Sequence, residues 1–348
     1  MNSNSPRVTV LMPVYNAAGF LGECIPSILR QSFKGFELLV LDDGSTDASV
    51  EVVRGYADPR IRLERNPGNL GVALTLNRGL EMARGEYIAR MDADDKAHPE
   101  RLACQVNFLD RNPEIGILGS WVRLFGDQVP VIERKPTGPE AVKATLLFDT
   151  PFFHPTVMIR RSLLEAYGLR YDPTYTRTED YELWSRVADF CNLDNLPKAL
   201  VSMRVHAENI TATTKEAMTR QTLALLTRHL NKIGISVNIR EAAFHHHVGR
   251  GRRMSSLDEV HRAEAWIRQI IQAAVRSGKY TPKGMSIAAG MTWFRLCRNS
   301  SNLGPGIWRA WRSSPLSKSY VPCRQEYFRW LASIAWHMLP GKRKRASA

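Results

Sequence analysis

Along the first third of the chain, short unbroken apolar runs alternate with segments of helical periodicity. RVTVLMPVY (7–15) has the pattern of a strand buried on both faces, and FLGECIPSILRQSF (20–33) follows as a helical segment. FELLVLDDGSTD (36–47) repeats the scheme with a buried strand and a turn of Asp, Gly, Ser and Thr, and a helix over about 48–56 follows. RIRLERN (60–66) reads as a strand, about 70–84 as a helix, and EYIARMD (86–92) as a third apolar strand. This rhythm predicts an α/β fold with a mostly parallel sheet and helices on both faces. In such sheets ligands bind beyond the carboxyl ends of the strands.

Three polar clusters stand at those predicted strand ends: PVYN (13–16), DDGSTD (42–47) and DADD (92–95). A single Asp-Gly-Ser turn is an ordinary solvated turn. Three at consecutive strand ends converge on one crevice. In the last of them side chains alternate along an extended segment, so Arg90, Asp92 and Asp94 share one side. Like charges so close repel unless a cation intervenes, and an Asp-x-Asp pair facing a crevice is a candidate oxygen site for Mg2+ or Mn2+.

Composition adds two constraints. With 348 residues and 44% hydrophobic content, the chain can bury one large core with an appendage or two ordinary ones. Its five cysteines, Cys24, Cys104, Cys191, Cys297 and Cys323, form no C-x-x-C pair, which speaks against a disulfide framework or a zinc site. The charge is uneven. Residues 241–348 hold 19 Lys and Arg against 5 Asp and Glu, a surplus of 14 that equals the whole net charge. The expectation is a balanced body and a basic tail that meets something anionic. Residues 1–7 lack a signal-peptide pattern and nowhere do 18 apolar residues run together, so a cytoplasmic location without a membrane span is expected.

The order PVYNA, DDGSTD, N-x-G-x-x-x-x-x-N-x-G (Asn69 to Gly79) and DADD resembles the nucleotide-sugar half of the family-2 inverting glycosyltransferases of the GT-A fold. FFHPTVMIRRSLL (152–164), TEDYELWSRVA (178–188) and MRVHAENIT (203–211) resemble the acceptor-side motifs of the same family. The resemblance implies a Rossmann-like GT-A domain over 1–215, with a nucleotide-sugar half at about 7–125 and an acceptor half at about 126–215. A basic, Trp-rich and mainly helical extension then occupies 216–348.

The family's chemistry maps onto named residues. Asp92 and Asp94 are the implied metal pair for Mn2+ or Mg2+, with Asp95 in support; Arg90 and Asp92 also belong to the implied donor site. Asp42 and Asp43 are the candidates to recognise the base, and Pro13, Tyr15 and Asn16 to line the nucleoside pocket. The structural alternatives are that Pro13 only shapes a strand end and Tyr15 only packs. Inversion needs one base opposite the leaving group. Asp180 is the implied base, beside Glu179 at the start of a helix with Tyr181, Leu183, Trp184 and Val187 on its apolar side. Acids in a first helical turn also suit the helix dipole, which is the alternative reading. His154 and His206 match positions where the family carries His near the acceptor or the diphosphate; the alternative is a backbone-satisfied structural role. The implied reaction moves a sugar from a nucleotide donor, UDP-sugar favoured, to an acceptor hydroxyl in cell-envelope, lipid-linked or exopolysaccharide glycan synthesis. A metal-dependent nucleotidyltransferase and a non-catalytic nucleotide-sugar-binding protein are the alternatives.

The extension carries six of the eight tryptophans. In EYFRWLASIAWHML (326–339), Tyr327, Trp330, Leu331, Ile334 and Met338 share one helical face, and KRKR (342–345) follows. This is the pattern of an amphipathic helix in an anionic membrane interface, so peripheral membrane association is expected. Four cations at such a surface contribute up to roughly 4 kcal/mol. The alternative is a helix packed on the rest of the protein. No nucleic-acid module is recognisable, and no nucleic-acid partner is expected. QEYFRW (325–330) spaces Gln and Arg-Trp one residue wider than the Q-x-x-R-W of processive synthases in the same superfamily, so the enzyme is expected to be non-processive. The triplet HHH (245–247) points its rings in different directions on a helix and is not expected to bind metal.

Overall fold

The computed structural model describes residues 5–127, 130–205 and 212–339. They fall into two compact units: residues 1–138 with 150–221, and residues 139–149 with 222–348.

The first unit opens with β1 (Val8–Val14), α1 (Ala18–Leu29), β2 (Phe36–Asp42), α2 (Ser49–Arg54), β3 (Ile61–Arg65), α3 (Val72–Met82) and β4 (Tyr87–Arg90), matching the predicted rhythm within a few residues. It continues through β5 (Lys96–Ala97), α4 (Arg101–Arg111), β6 (Ile115–Gly126) and β7 (Val131–Glu133). After α5 (Pro139–Thr145), which belongs to the second unit, come β8 (Met158–Arg160), α6 (Arg161–Ala166), α7 (Glu179–Val187) and β9 (Asn192–Val205). The sheet runs β3-β2-β1-β4-β8-β6-β9-β5, with β7 paired to β6. Strands β3, β2, β1 and β4 are parallel. Beyond β4 the sheet is mixed: β8 is antiparallel to both its neighbours, and β6 and β9 are parallel.

Strand side chains alternate between two layers, as the pleat requires. Val8, Val10, Met12 and Val14 of β1 join Leu21, Ile25 and Ile28 of α1 and Leu102, Val106 and Leu109 of α4 in one buried cluster. Leu11 and Leu41 face the opposite way, toward α3. Gly79 of α3 sits so close that a Cβ there would meet Leu11 Cδ1 at 2.3 Å and Leu41 Cδ1 at 2.7 Å. The glycine of the N-x-G motif is therefore a close-approach position that seats α3 on the sheet.

The second unit is helical: α8 (Ala212–Lys232) leads into it, followed by α9 (Ile239–Gly249), α10 (Leu257–Arg276), α11 (Pro282–Asn299), α12 (Pro305–Ser313) and α13 (Arg324–Met338). Capping residues mark its helix starts: Asn238 and Glu241 form a capping box on α9, Ser256 caps α10 and Thr281 caps α11. Ala144, Leu147 and Phe148 enter its core, which explains why residues 139–149 pack here. Asp149 then pairs with Arg250 and Arg295, each at 3.2 Å. His245 is fully engaged, with Nε2 donating to Leu147 O at 2.7 Å and Nδ1 accepting from Trp266 Nε1 at 3.0 Å, so its role is structural. Trp330 and Ile334 of α13 are buried in the same core. Of the face of α13 expected to meet a membrane, Trp330 and Ile334 are thus buried, Tyr327 and Leu331 are half-buried, and Met338 is exposed. All five cysteines are free. Among the described residues no helix is long and apolar enough to cross a membrane.

Candidate active site

The parallel strands β2, β1 and β4 end side by side and deliver the three polar clusters to one edge. At the end of β1, Asn16 adopts φ 50, a conformation Asn tolerates better than most residues. Its Oδ1 accepts from Thr46 N at 2.8 Å, and its own N–H donates to Ser45 Oγ at 3.0 Å. Asp47 accepts from Ala18 N at 3.0 Å and so holds the first turn of α1. PVYN and DDGSTD are therefore one hydrogen-bonded unit. Within it Pro13 is half-buried and Tyr15 is exposed.

Asp42 and Asp43 are both buried, with different partners. Asp42 accepts from Arg65 Nε at 3.0 Å and from Ser45 N at 3.2 Å. Asp43 organises the loop into α3: it accepts from Asn66 Nδ2 at 2.7 Å, Leu70 N at 2.8 Å and Gly71 N at 2.9 Å. The Asn-x-Gly start of the third motif is thus shaped by the second. Its later asparagine, Asn77, bonds both backbone groups of Tyr171, with Nδ2 donating to Tyr171 O and Oδ1 accepting from Tyr171 N, each at 2.8 Å.

Strand β4 stops at Arg90, and a turn replaces the extended alternation expected from sequence. The turn, with Asp95 N donating to Asp92 O at 3.4 Å, brings a third carboxylate in. Oxygens of Asp92, Asp94 and Asp95 all lie within 4.8 Å of one another. Asp92 pairs with the buried Arg90. Burial alone would lower the Arg90 pKa, but the charge and hydrogen bond of Asp92, joined by the Tyr171 and Asp95 groups, together outweigh it and hold Arg90 above its ordinary value. Asp95 is 1% exposed. Its Oδ1 accepts from Arg204 N at 2.8 Å, while its Oδ2 is buried without a partner. Burial pushes Asp95 up to about 8, and the Asp92 and Asp94 charges add to the rise.

Clustered carboxylates with an orphaned buried oxygen are a donor set that a hard divalent cation fits. Asp92 and Asp94 would hold it with Asp95 behind, and when bound it would supply Lewis-acid neutralisation of a leaving diphosphate.

Two buried or half-buried arginines buttress this turn, and neither was singled out from sequence. Arg101, the first residue of α4, is 1% exposed; it donates to Arg90 O at 2.7 Å and Gln105 Oε1 at 3.1 Å. Burial pulls it down to about 9. Arg204 of β9 donates to Asp94 O at 3.2 Å, pairs with Glu23 at 2.9 Å and stacks over Phe125 at 4.5 Å. The signals were a cation at a helix N-terminus, where the dipole disfavours it, and an Arg inside the MRVHAENIT segment.

On the other side of the sheet edge, α7 presents Glu179 and Asp180. Tyr181, Leu183, Trp184 and Val187 are buried as predicted. Glu179 is buried, its Oε2 has no partner, and burial, then the Asp180 charge, push it up to about 7. Asp180 is half-buried, and its Oδ1 accepts from Tyr181 N at 2.7 Å. His154 lies 3.0 Å from Tyr171 Oη, and both rings pack edge-on against Trp184. Burial, then the Arg90 charge, hold His154 well below its ordinary pKa, so it is neutral. Burial pushes the Tyr171 phenol far up, and the Arg90 charge opposes the rise. His206 lies outside the described residues.

The crystal structure of S. aureus TarS 1-349 in complex with UDP-GlcNAc shares the fold, with TM-score 0.55 at 18% identity over 85% of this chain and 91% of that one. The mixed sheet with its flanking helices has the GT-A fold. The model described as Glycosyl transferase family 2 matches residues 9–168. An uncharacterized glycosyltransferase of Haemophilus influenzae is 31% identical over 252 residues, covering 68% of this chain and 78% of the relative. The UDP-Gal:alpha-D-GlcNAc-diphosphoundecaprenol beta-1,3-galactosyltransferase of Escherichia coli is 30% identical over 220 residues, 60% of this chain and 78% of that enzyme. The chain belongs to glycosyl transferase family 2. It is a glycosyltransferase, an enzyme that transfers a sugar from a donor to an acceptor.

Proposed function

We propose that the enzyme inverts the anomeric carbon in a divalent-metal-assisted transfer, with Asp180 as base and a UDP-sugar as donor. The observation that carries this reading is the Asp92, Asp94 and Asp95 trio with its orphaned Asp95 oxygen. An acceptor hydroxyl attacks the anomeric carbon as the bond to the diphosphate breaks, and its proton passes to the Asp180 carboxylate. Arg90, kept charged beside Asp92, adds positive charge where the leaving group gains negative charge. His154 and Tyr171 pack edge-on against the buried Trp184 behind the start of α7, a rigid support for Glu179 and Asp180.

The Escherichia coli relative's name, a UDP-galactose donor and a diphosphoundecaprenol acceptor, supports UDP and a lipid-linked or cell-envelope glycan for this chain. The basic tail, with 14 surplus cations, supports work at an anionic membrane surface on the cytoplasmic side. Asp92→Ala and Asp94→Ala test the reading. Each is expected to lower transfer at least a hundredfold, Asp94→Ala with an unchanged melting temperature and Asp92→Ala with a lowered one, because it strips the buried Arg90 of its charge partner; wild-type activity in both would remove the metal pair.

A further inference from the structure

Helix α13 has two apolar faces: one is buried in the core of the second unit and the other is largely exposed. Tyr327, Trp330 and Ile334 face the core, where Trp330 is 1% exposed and Tyr327 Oη accepts from Trp308 Nε1 at 3.1 Å. The other face carries Phe328, Ala332, Ala335 and Trp336, with Leu339 just past the last turn. At helical spacing these five positions fall within an arc of about 100°. Phe328 is 64%, Trp336 53% and Leu339 49% exposed. Arg324 and Arg329, both exposed, border the arc on its two sides. Lys342, Arg343, Lys344 and Arg345 follow in the sequence, outside the described residues.

A contiguous apolar stripe with large aromatic residues marks an interaction surface. Charge selects what covers it. The stripe lies between two arginines, runs toward four consecutive cations, and belongs to the part of the chain that carries the whole positive surplus. An anionic headgroup layer complements all three features, with aromatic rings at headgroup depth and apolar side chains at the acyl boundary. Length fixes the orientation: a helix of 15 residues is about 22 Å long, short of the roughly 30 Å hydrocarbon core, so it lies along the surface.

We propose that the Phe328–Trp336–Leu339 face of α13 lies in the interface of an anionic membrane. The inference rests on the membrane reading given above and replaces the face expected from sequence, whose centre, Trp330 and Ile334, is buried. The full chain is sedimented with vesicles of phosphatidylglycerol and phosphatidylcholine, and with phosphatidylcholine alone. Wild type is expected on the anionic vesicles only. The double variant Phe328→Ser/Trp336→Ser, with an unchanged melting temperature, is expected to bind them at least tenfold more weakly. The milder Trp336→Phe is expected to keep binding but lose part of the fluorescence quenching by brominated lipids. A folded double variant that binds like wild type overturns the α13 face and leaves the membrane reading standing. Wild type that ignores anionic vesicles removes both. A dimer dissolved by the double variant, without vesicle binding, makes a second copy the occupant and also overturns the proposal.

Discussion

Replacing Asn77 by Ala removes one side chain and unpairs two backbone groups. Asn77 holds Tyr171 N and Tyr171 O at 2.8 Å each, and Tyr171 is 2% exposed, so water does not readily take over. A buried polar group left unpaired costs about 1–3 kcal/mol, which puts the two together at about 2–6 kcal/mol. The substitution also loosens the ring that sits between His154 and Trp184. Urea unfolding followed by circular dichroism reads the stability, and amide hydrogen exchange reads the Tyr171 N–H directly. The expected result is a loss of about 2–6 kcal/mol, with exchange at Tyr171 faster by at least tenfold. Asn77→Asp keeps the acceptor for Tyr171 N but sets a carboxylate against Tyr171 O, so it is expected to exchange more slowly than the Ala variant at that amide. An Ala variant within about 0.5 kcal/mol of wild type, the range of an ordinary surface substitution, refutes the link between α3 and the Tyr171 loop.

Two further outcomes follow from α7. Asp180→Asn is expected to lower kcat by roughly a hundredfold to ten-thousandfold while donor KM changes less than threefold; steady-state kinetics check this, and an unchanged kcat dismisses the base. Glu179, raised from 4.5 to about 7, keeps its proton in the folded state between those pH values while the unfolded chain sheds it, so stability falls as pH rises across that window. Its contribution is at most about 3 kcal/mol. Glu179→Gln is expected to flatten that part of the stability profile in urea titrations, and an unaltered slope rules the group out.

The donor half was legible because β1, β2 and β4 are buried on both faces, where unbroken apolar runs and strand-end clusters coincide. Alternation past Arg90 misplaced the third carboxylate. The strand ends there, and a turn carries Asp95 inward against Arg204, a residue 109 positions away that local pattern cannot see. The same limit hid Arg101, whose acceptors come from β4 and from its own helix. For α13, periodicity found an apolar face but not what covers it; Trp330 and Ile334 pack into the helical core while Phe328 and Trp336 stay outside. The segment 139–149 carried no signal of its unit, because Leu147 and Phe148 reveal theirs only through helices far along the chain.

The most direct measurement is release of nucleoside diphosphate from a panel of UDP-, GDP- and dTDP-sugars by the purified enzyme with Mg2+ or Mn2+, with and without EDTA. The predicted result is slow release from a UDP-sugar, lost with EDTA, restored by excess metal and absent in Asp94→Asn. Release that persists undiminished in EDTA would contradict a metal-assisted donor site built on Asp92 and Asp94.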